Sequence, residues 1–106
     1  MAARVRSVDW AFSAQAALDE VITYISRDSP EAAARVLEQA LETGASLATF
    51  AERGRIVPES NEPTIREVFV FRYRLMYEVR DDRVIIVAFL HGARDFTALR
   101  QNQTPE

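Results

Sequence analysis

Apolar residues recur along this chain first with a helical period and then with the period of two that marks a β-strand. One stripe lies at i, i+3, i+4 and i+7, and it predicts an amphipathic helix built on Leu18, Val21, Ile22 and Ile25. A second stripe predicts another helix, built on Val36, Leu37, Ala40, Leu41 and Leu47. Almost nothing separates the two stripes, so we expect an antiparallel helical hairpin.

Local signals predict where these helices begin and end. Ser13 is a suitable N-cap for the first helix, which should stop near Arg27. Ser29 should cap the second helix, with Pro30 at its first position, where a missing N–H has no consequence. The second helix should end between Phe50 and Gly54, with Gly54 as a suitable C-terminal stop.

Four short runs predict strands: a weakly alternating run at 4–10 and stronger runs at 64–70, 73–80 and 84–90. Residues 55–63 are predicted as a loop, and Asp81-Asp82 as a hairpin turn. Phe71-Arg72 could be a tight turn or a continued strand. The run at 84–90 is apolar on both faces, which predicts a central strand. The predicted fold is α+β, with an N-terminal strand and a helical hairpin packed on a mainly antiparallel four-stranded sheet.

Length and composition limit the classes of function. The 106 residues predict one domain over 1–100 with a flexible tail at 101–106. No apolar run approaches the roughly 20 residues of a membrane span, and no signal-peptide core is visible, which predicts a cytoplasmic protein. The absence of cysteine excludes disulfides and thiol catalysis, and a single histidine excludes a His-rich metal site. We therefore expect no metal and no cofactor.

The basic residues are all arginine, thirteen in number, and the net charge is −3. Without lysine, the chain has no amine that could serve as a general base or Schiff-base nucleophile. An acidic balance argues against strong, sequence-independent nucleic-acid binding, although a local arginine cluster remains possible.

The order of elements resembles the RelE/ParE superfamily of bacterial type II toxins. The resemblance spans nearly the whole chain, and three features look most like the ParE branch: a Ser-Pro helix junction, a Gly-Arg-x-Val-Pro-Glu loop and a His-Gly-x-Arg ending. In this sequence they are Ser29-Pro30, residues 54–59 and residues 91–94.

This resemblance implies a toxin that is silenced by a cognate, ParD-like antitoxin in a hetero-oligomer, as in plasmid-stabilisation systems. ParE-like members poison DNA gyrase, whereas RelE-like members cleave mRNA on the ribosome. A third alternative is a homologue that has lost toxicity and only binds its partner.

The residues separate the first two activities. Metal-free RNA cleavage needs a general base, a general acid and cations for the developing negative charge. Arg74 and Arg94 match the superfamily's cations, but Ile65 and Glu67 fall near its lysines and Arg100 near its tyrosine. We therefore predict no catalytic residues, with Arg74, Arg94 and His91 as the candidates if the protein is a nuclease after all.

Two sets of binding residues are predicted. Arg74, Arg94 and Arg100 are candidate contacts to the target, although Arg74 could instead pair with Glu67 or Glu78 across the sheet. His91 could end a strand and hydrogen-bond the backbone rather than act as an acid or base. The apolar helix stripes should form the core first, but their outer edges could also hold an amphipathic antitoxin helix. Those edge residues are Ala33, Val36, Leu37 and Ala40.

Overall fold

The computed structural model describes residues 5–92 and has the predicted α+β architecture. Two helices, α1 (Phe12–Ser26) and α2 (Pro30–Ser46), form a hairpin. The strands are β1 (Ser7–Trp10), β2 (Arg55–Ile56), β3 (Ile65–Val70), β4 (Tyr73–Val79) and β5 (Arg83–His91). They form one sheet in the order β1-β5-β4-β3-β2, in which β1 is parallel to β5 and the other pairs are antiparallel.

The sheet has five strands, which corrects the prediction of four. The additional strand, β2, lies in the segment predicted as a loop, where Arg55 pairs with Glu67 and Ile56 with Arg66. Two residues are too few to produce a visible alternation, so the sequence pattern could not indicate this strand.

The helix boundaries agree with the sequence at the junction and differ at the outer ends. Ser29 Oγ accepts the Ala32 N–H at 3.1 Å, which confirms the predicted N-cap of α2. The prediction of Ser13 as the N-cap of α1 is wrong, because the cap is Ala11 and no side chain bonds there. The prediction of Gly54 as a helix stop is also wrong, since α2 already ends at Ser46.

Both short connections in the meander are tight turns. The Arg80 N–H donates to the Arg83 carbonyl at 2.8 Å, as expected for the turn predicted at Asp81-Asp82. Phe71 and Arg72 join β3 to β4, which settles the alternative that the sequence left open. Phe71 adopts a φ of 55°, in the left-handed region that bulky side chains avoid.

The alternation predicted for β4 divides the sheet into two different faces. The helix side carries the main core, which includes Leu18, Leu47, Leu75, Tyr77 and Ile86. We call the opposite side the outer face. A smaller apolar cluster lies there, formed by Val57, Ile65, Met76, Ala88 and Leu90. β5 lies inside the sheet, as its apolar run predicted.

Two further points concern membrane spans and the C-terminal tail. Within residues 5–92, neither helix is long and apolar enough to cross a membrane. The predicted flexible tail at 101–106 lies outside the described residues, as do Arg94 and Arg100.

Candidate functional site

A buried arginine stands at the centre of the outer face. Arg74 lies on β4 between β3 and β5, and only 4% of its surface is exposed. Its Nε donates to Glu67 Oε1 at 2.6 Å. Its two Nη atoms donate to the two carboxylate oxygens of Glu59 at 2.9 and 2.8 Å. This fork-to-fork geometry is the arrangement in which arginine binds a carboxylate most strongly.

A second arginine completes the cluster. Arg55 Nε donates to the other oxygen of Glu67, Oε2, at 2.7 Å. The pairing of β2 with β3 places Arg55 directly opposite Glu67, so the short extra strand positions this contact. Each oxygen of the fully buried Glu67 side chain therefore has its own guanidinium. We call Arg55, Glu59, Glu67 and Arg74 the arginine–glutamate network.

The network holds charge but does not favour proton transfer. The hydrogen bonds that Arg74 donates to Glu59 and, secondarily, to Glu67 raise the pKa of Arg74 further above its already high range, against the opposing effect of burial. A guanidinium that stays protonated cannot act as a general base. The neighbouring carboxylates would also repel a phosphate approaching this part of the face.

The predictions for Arg74 have mixed outcomes. Its pairing with Glu67 is confirmed, whereas the alternative with Glu78 is wrong because Glu78 pairs with Arg80 at 3.0 Å. The side chain of Arg74 is enclosed by carboxylates, so the geometry does not favour the predicted direct contact with a target. The sequence analysis missed Glu59 as a partner, although its loop was one of the motifs that carried the family resemblance.

An exposed aromatic surface adjoins the network. Phe69 and Phe71 are 54% and 60% exposed at the end of the β3–β4 hairpin. The Arg55 guanidinium lies 6.0 Å from the centre of the Phe69 ring, within range of a cation–π contact. Arg72 is exposed beside Phe71 in the turn. We call Arg55, Phe69, Phe71 and Arg72 the aromatic platform. No sequence signal marked it, because Phe69 resembles an ordinary strand residue and the sequence predicts Phe71 only as either a turn or a strand residue.

His91 lies in a separate region on the helix side of the sheet. Its ring meets Tyr73 edge to face at 5.8 Å, and Tyr73 stacks on Phe89 at 5.3 Å. These rings line a groove of about 580 Å³ between α1 and the ends of β4 and β5, with Glu20 and Tyr24 on its helical side. The structure thus does not bring His91 and Arg74 onto the same face, because the two side chains project from opposite sides of the sheet.

The four residues predicted to bind an antitoxin are mostly part of the protein interior. Ala33, Val36 and Ala40 are 3%, 8% and 0% exposed, and Leu37 is half-buried against the main core. Three of these side chains are therefore largely covered, as expected for helix stripes that form the core first, and their contact with an antitoxin helix stays a prediction. Within residues 5–92, no group of three or more histidine, aspartate or glutamate side chains converges in a way that could hold a metal ion.

Comparison with known proteins identifies the family. Residues 8–96 match the profile of the family described as "ParE toxin of type II toxin-antitoxin system, parDE". The chain belongs to the ParE toxin family.

Two known proteins are similar to this ParE-family chain. It is 38% identical over 88 residues to "Toxin RelE2" of Caulobacter vibrioides, an alignment that covers 82% of this chain and 96% of the relative. Its fold matches a solved structure titled "Chromosomal ParDE TA system from P. aeruginosa" with a TM-score of 0.67. That match covers 82% of this chain and 96% of the other at 22% identity, so it supports the fold alone.

Proposed function

We propose that this toxin is neutralised by a ParD-like antitoxin encoded beside it and that it stops growth by binding DNA gyrase in the cytoplasm. The family assignment supports the toxin half of this proposal, and the ParDE title of the structural neighbour supports an antitoxin partner. The choice of gyrase over the ribosome depends on the chemistry of the outer face.

The observation that carries this choice is the arginine–glutamate network. The residues near the ribonuclease branch's lysines are Ile65, which is buried in the small apolar cluster, and Glu67, whose carboxylate is held between Arg55 and Arg74. Neither can take a proton from a 2′-hydroxyl in this arrangement, because one is apolar and the other already accepts two charge-assisted hydrogen bonds. A face of this kind suits a protein that acts by binding.

A ribosome-dependent ribonuclease is the second candidate, and the name of the Caulobacter relative, RelE2, favours it. In that case His91, which lies among the described residues, would be the candidate general acid or base, and Arg94 would supply a cation. A toxin-fold protein that only binds its partner is the third candidate.

One pair of assays separates the three candidates. Purified toxin is added to a supercoiling reaction with gyrase and, separately, to a translating extract whose transcripts are mapped by primer extension. We expect loss of supercoiling, relief of that loss when the antitoxin from the neighbouring gene is added, and intact transcripts. Cleavage at the ribosomal A site would instead establish the ribonuclease, and no response in either assay would favour the partner-binding homologue.

Arg94 and Arg100 remain proposed contacts to the target. We expect Arg94→Ala to reduce gyrase inhibition while the thermal midpoint stays close to that of the wild type. Surface substitutions usually change the free energy of unfolding by less than about 0.5 kcal/mol. An Arg94→Ala variant that unfolds would instead assign this residue to the structure.

A further inference from the structure

We infer that the aromatic platform is the surface with which this toxin docks on its protein target, at a patch that combines a carboxylate with apolar side chains. This inference rests on the proposed function, since it needs a protein target. It moves the target contact away from Arg74, whose side chain is enclosed, to the exposed groups at the hairpin end.

The backbone at Phe71 is the first observation. In a two-residue connection between antiparallel strands, a position with positive φ favours glycine, asparagine or aspartate. Phenylalanine occupies it here with a φ of 55° and remains 60% exposed. Because the ring is mostly in water and the backbone is strained, folding alone gives no reason for a phenylalanine at this position. A partner that covers the ring gives one.

The platform is fixed in place by contacts beneath it. The carbonyl of Arg72 accepts the Gly92 N–H at 2.8 Å, which ties the turn to the end of β5. A Cβ atom at Gly92 would lie only 3.3 Å from Cε1 of Phe69, so this ring packs closely on the β5 end. On its other side, Phe69 lies near Arg55, which Glu67 holds at 2.7 Å. The turn backbone, Phe69 and Arg55 are therefore ordered before binding, and they lose little conformational entropy when a partner binds.

The charges of the platform select the chemistry of the partner. Arg55 and Arg72 are exposed, and within the described residues the Arg72 side chain has no hydrogen bond or ion pair. Of the carboxylates in the nearby network, Glu59 is bound to Arg74, and Glu67 is bound to both Arg74 and Arg55. In the part of the chain that the structure describes, the platform therefore presents one guanidinium without a carboxylate partner, that of Arg72, together with exposed aromatic area, and arginine and aromatic residues are enriched at protein–protein interfaces. Two exposed guanidinium groups on a chain of net charge −3 are a weak basis for nucleic-acid binding.

The test uses two substitutions and a matched control in the full-length toxin. Phe71→Asn removes the aromatic ring and places a residue that tolerates positive φ, so the thermal midpoint should stay or rise. Arg72→Glu reverses the charge at the same turn. Phe12→Asn is the control, because Phe12 is an 81% exposed phenylalanine on a different element, at the start of α1. Each variant is measured for the thermal midpoint, affinity for the antitoxin of the neighbouring gene, gyrase inhibition and growth arrest on induction.

We expect Phe71→Asn and Arg72→Glu each to weaken gyrase inhibition by about tenfold or more, as hot-spot residues do. Growth arrest should weaken with it, whereas antitoxin affinity and the thermal midpoint are retained. The control should match the wild type in all four measurements. If both hairpin variants stay fully toxic, or if they lose antitoxin binding instead, the inference is overturned.

The same experiment keeps this inference apart from the proposed function. Wild-type toxin that arrests growth without inhibiting gyrase removes gyrase as the target, while dependence of the arrest on Phe71 still supports the platform. If the wild type inhibits gyrase and both Phe71→Asn and Arg72→Glu inhibit it equally well, gyrase remains the target and the platform is excluded as the docking surface. If the wild type binds a labelled 20-nucleotide RNA and both variants lose this binding, the partner is a nucleic acid and the inference is overturned. A wild-type protein that does not arrest growth would also overturn it.

Discussion

The two faces of the sheet are buried by different physical means. On the helix side, apolar side chains such as Leu75 and Ile86 pack under α1 and α2, and removal of their surface from water stabilises the fold. On the outer face, no helix within residues 5–92 provides such a cover, and Arg74 and Glu67 are buried beside a small apolar cluster. Charges tolerate burial only when each one is paired and hydrogen-bonded. The stability of the outer face therefore depends on specific ion-pair and hydrogen-bond partners, whereas the stability of the helix side depends on the volume and shape of the packed side chains.

The largest effect should come from breaking the network at its centre. Arg74→Ala leaves the Glu67 side chain buried with Arg55 alone, and we expect a loss of about 3–5 kcal/mol in the free energy of unfolding. Urea denaturation measures it. Arg80→Ala is the matched control, because its surface pair with Glu78 should contribute less than about 1 kcal/mol. A double variant with Arg74→Met and Glu67→Leu should recover most of the stability; failure to recover would show that packing rather than unpaired charge dominates.

On the helix side, Leu75→Ala should destabilise the protein by about 2–5 kcal/mol, because it opens a cavity at a fully buried position. Leu41→Ala provides the comparison, since Leu41 is 49% exposed on α2 and should change stability far less. A change that conserves volume, Leu75→Met, should lower the free energy of unfolding by less than about 1.5 kcal/mol. At Arg74, by contrast, we expect no single substitution to be tolerated this well. A thermal midpoint equal to that of the wild type for Leu75→Ala would contradict the placement of Leu75 in the core.

Two glycines test how closely the chain approaches the sheet. A Cβ at Gly54 would clash with the backbone carbonyl of Glu67 and lie 2.6 Å from the Tyr77 hydroxyl. We expect Gly54→Ala to destabilise by about 1–3 kcal/mol, as overpacking does. A Cβ at Gly44 would meet mainly the movable Cδ1 of Ile86 at 3.0 Å, and alanine also favours the helix there. Calorimetry should therefore find Gly44→Ala close to neutral, and equal losses for both variants would contradict this distinction.

The smallest effect concerns the hydroxyl of Tyr77, which accepts the Gly54 N–H at 2.9 Å. Tyr77→Phe leaves that buried donor without its acceptor and should cost about 1–2 kcal/mol near neutral pH. Guanidinium denaturation of the two proteins in parallel measures this difference.

The pH dependence of the same side chain provides a second readout. Burial raises the pKa of Tyr77, so the unfolded chain ionises first as the pH rises above about 10. The stability that this hydroxyl contributes is therefore complete below about pH 10 and declines above it. The decline should be smaller in Tyr77→Phe than in the wild type; identical pH profiles would show that Tyr77 ionises equally in both states.

Local signals in the sequence determined the helical hairpin, the three-stranded meander and the α+β class. The caps, turns and periodic stripes that predict them act over a few residues, as at Ser29 and Asp81-Asp82. The absence of lysine and cysteine also followed from the sequence alone and limited the available chemistry before any geometry was known.

Only the tertiary structure decided the partners of the polar residues. Glu59 and Arg74 are 15 residues apart, and Gly54 and Tyr77 are 23 apart, so no local pattern links them. The two-residue strand β2 exists only because β3 offers it an edge, and that pairing brings Arg55 to Glu67. Hydrogen bonds and ion pairs depend on positions fixed by the whole fold, which is why the sequence named Arg74 as a candidate but could not show that it is buried.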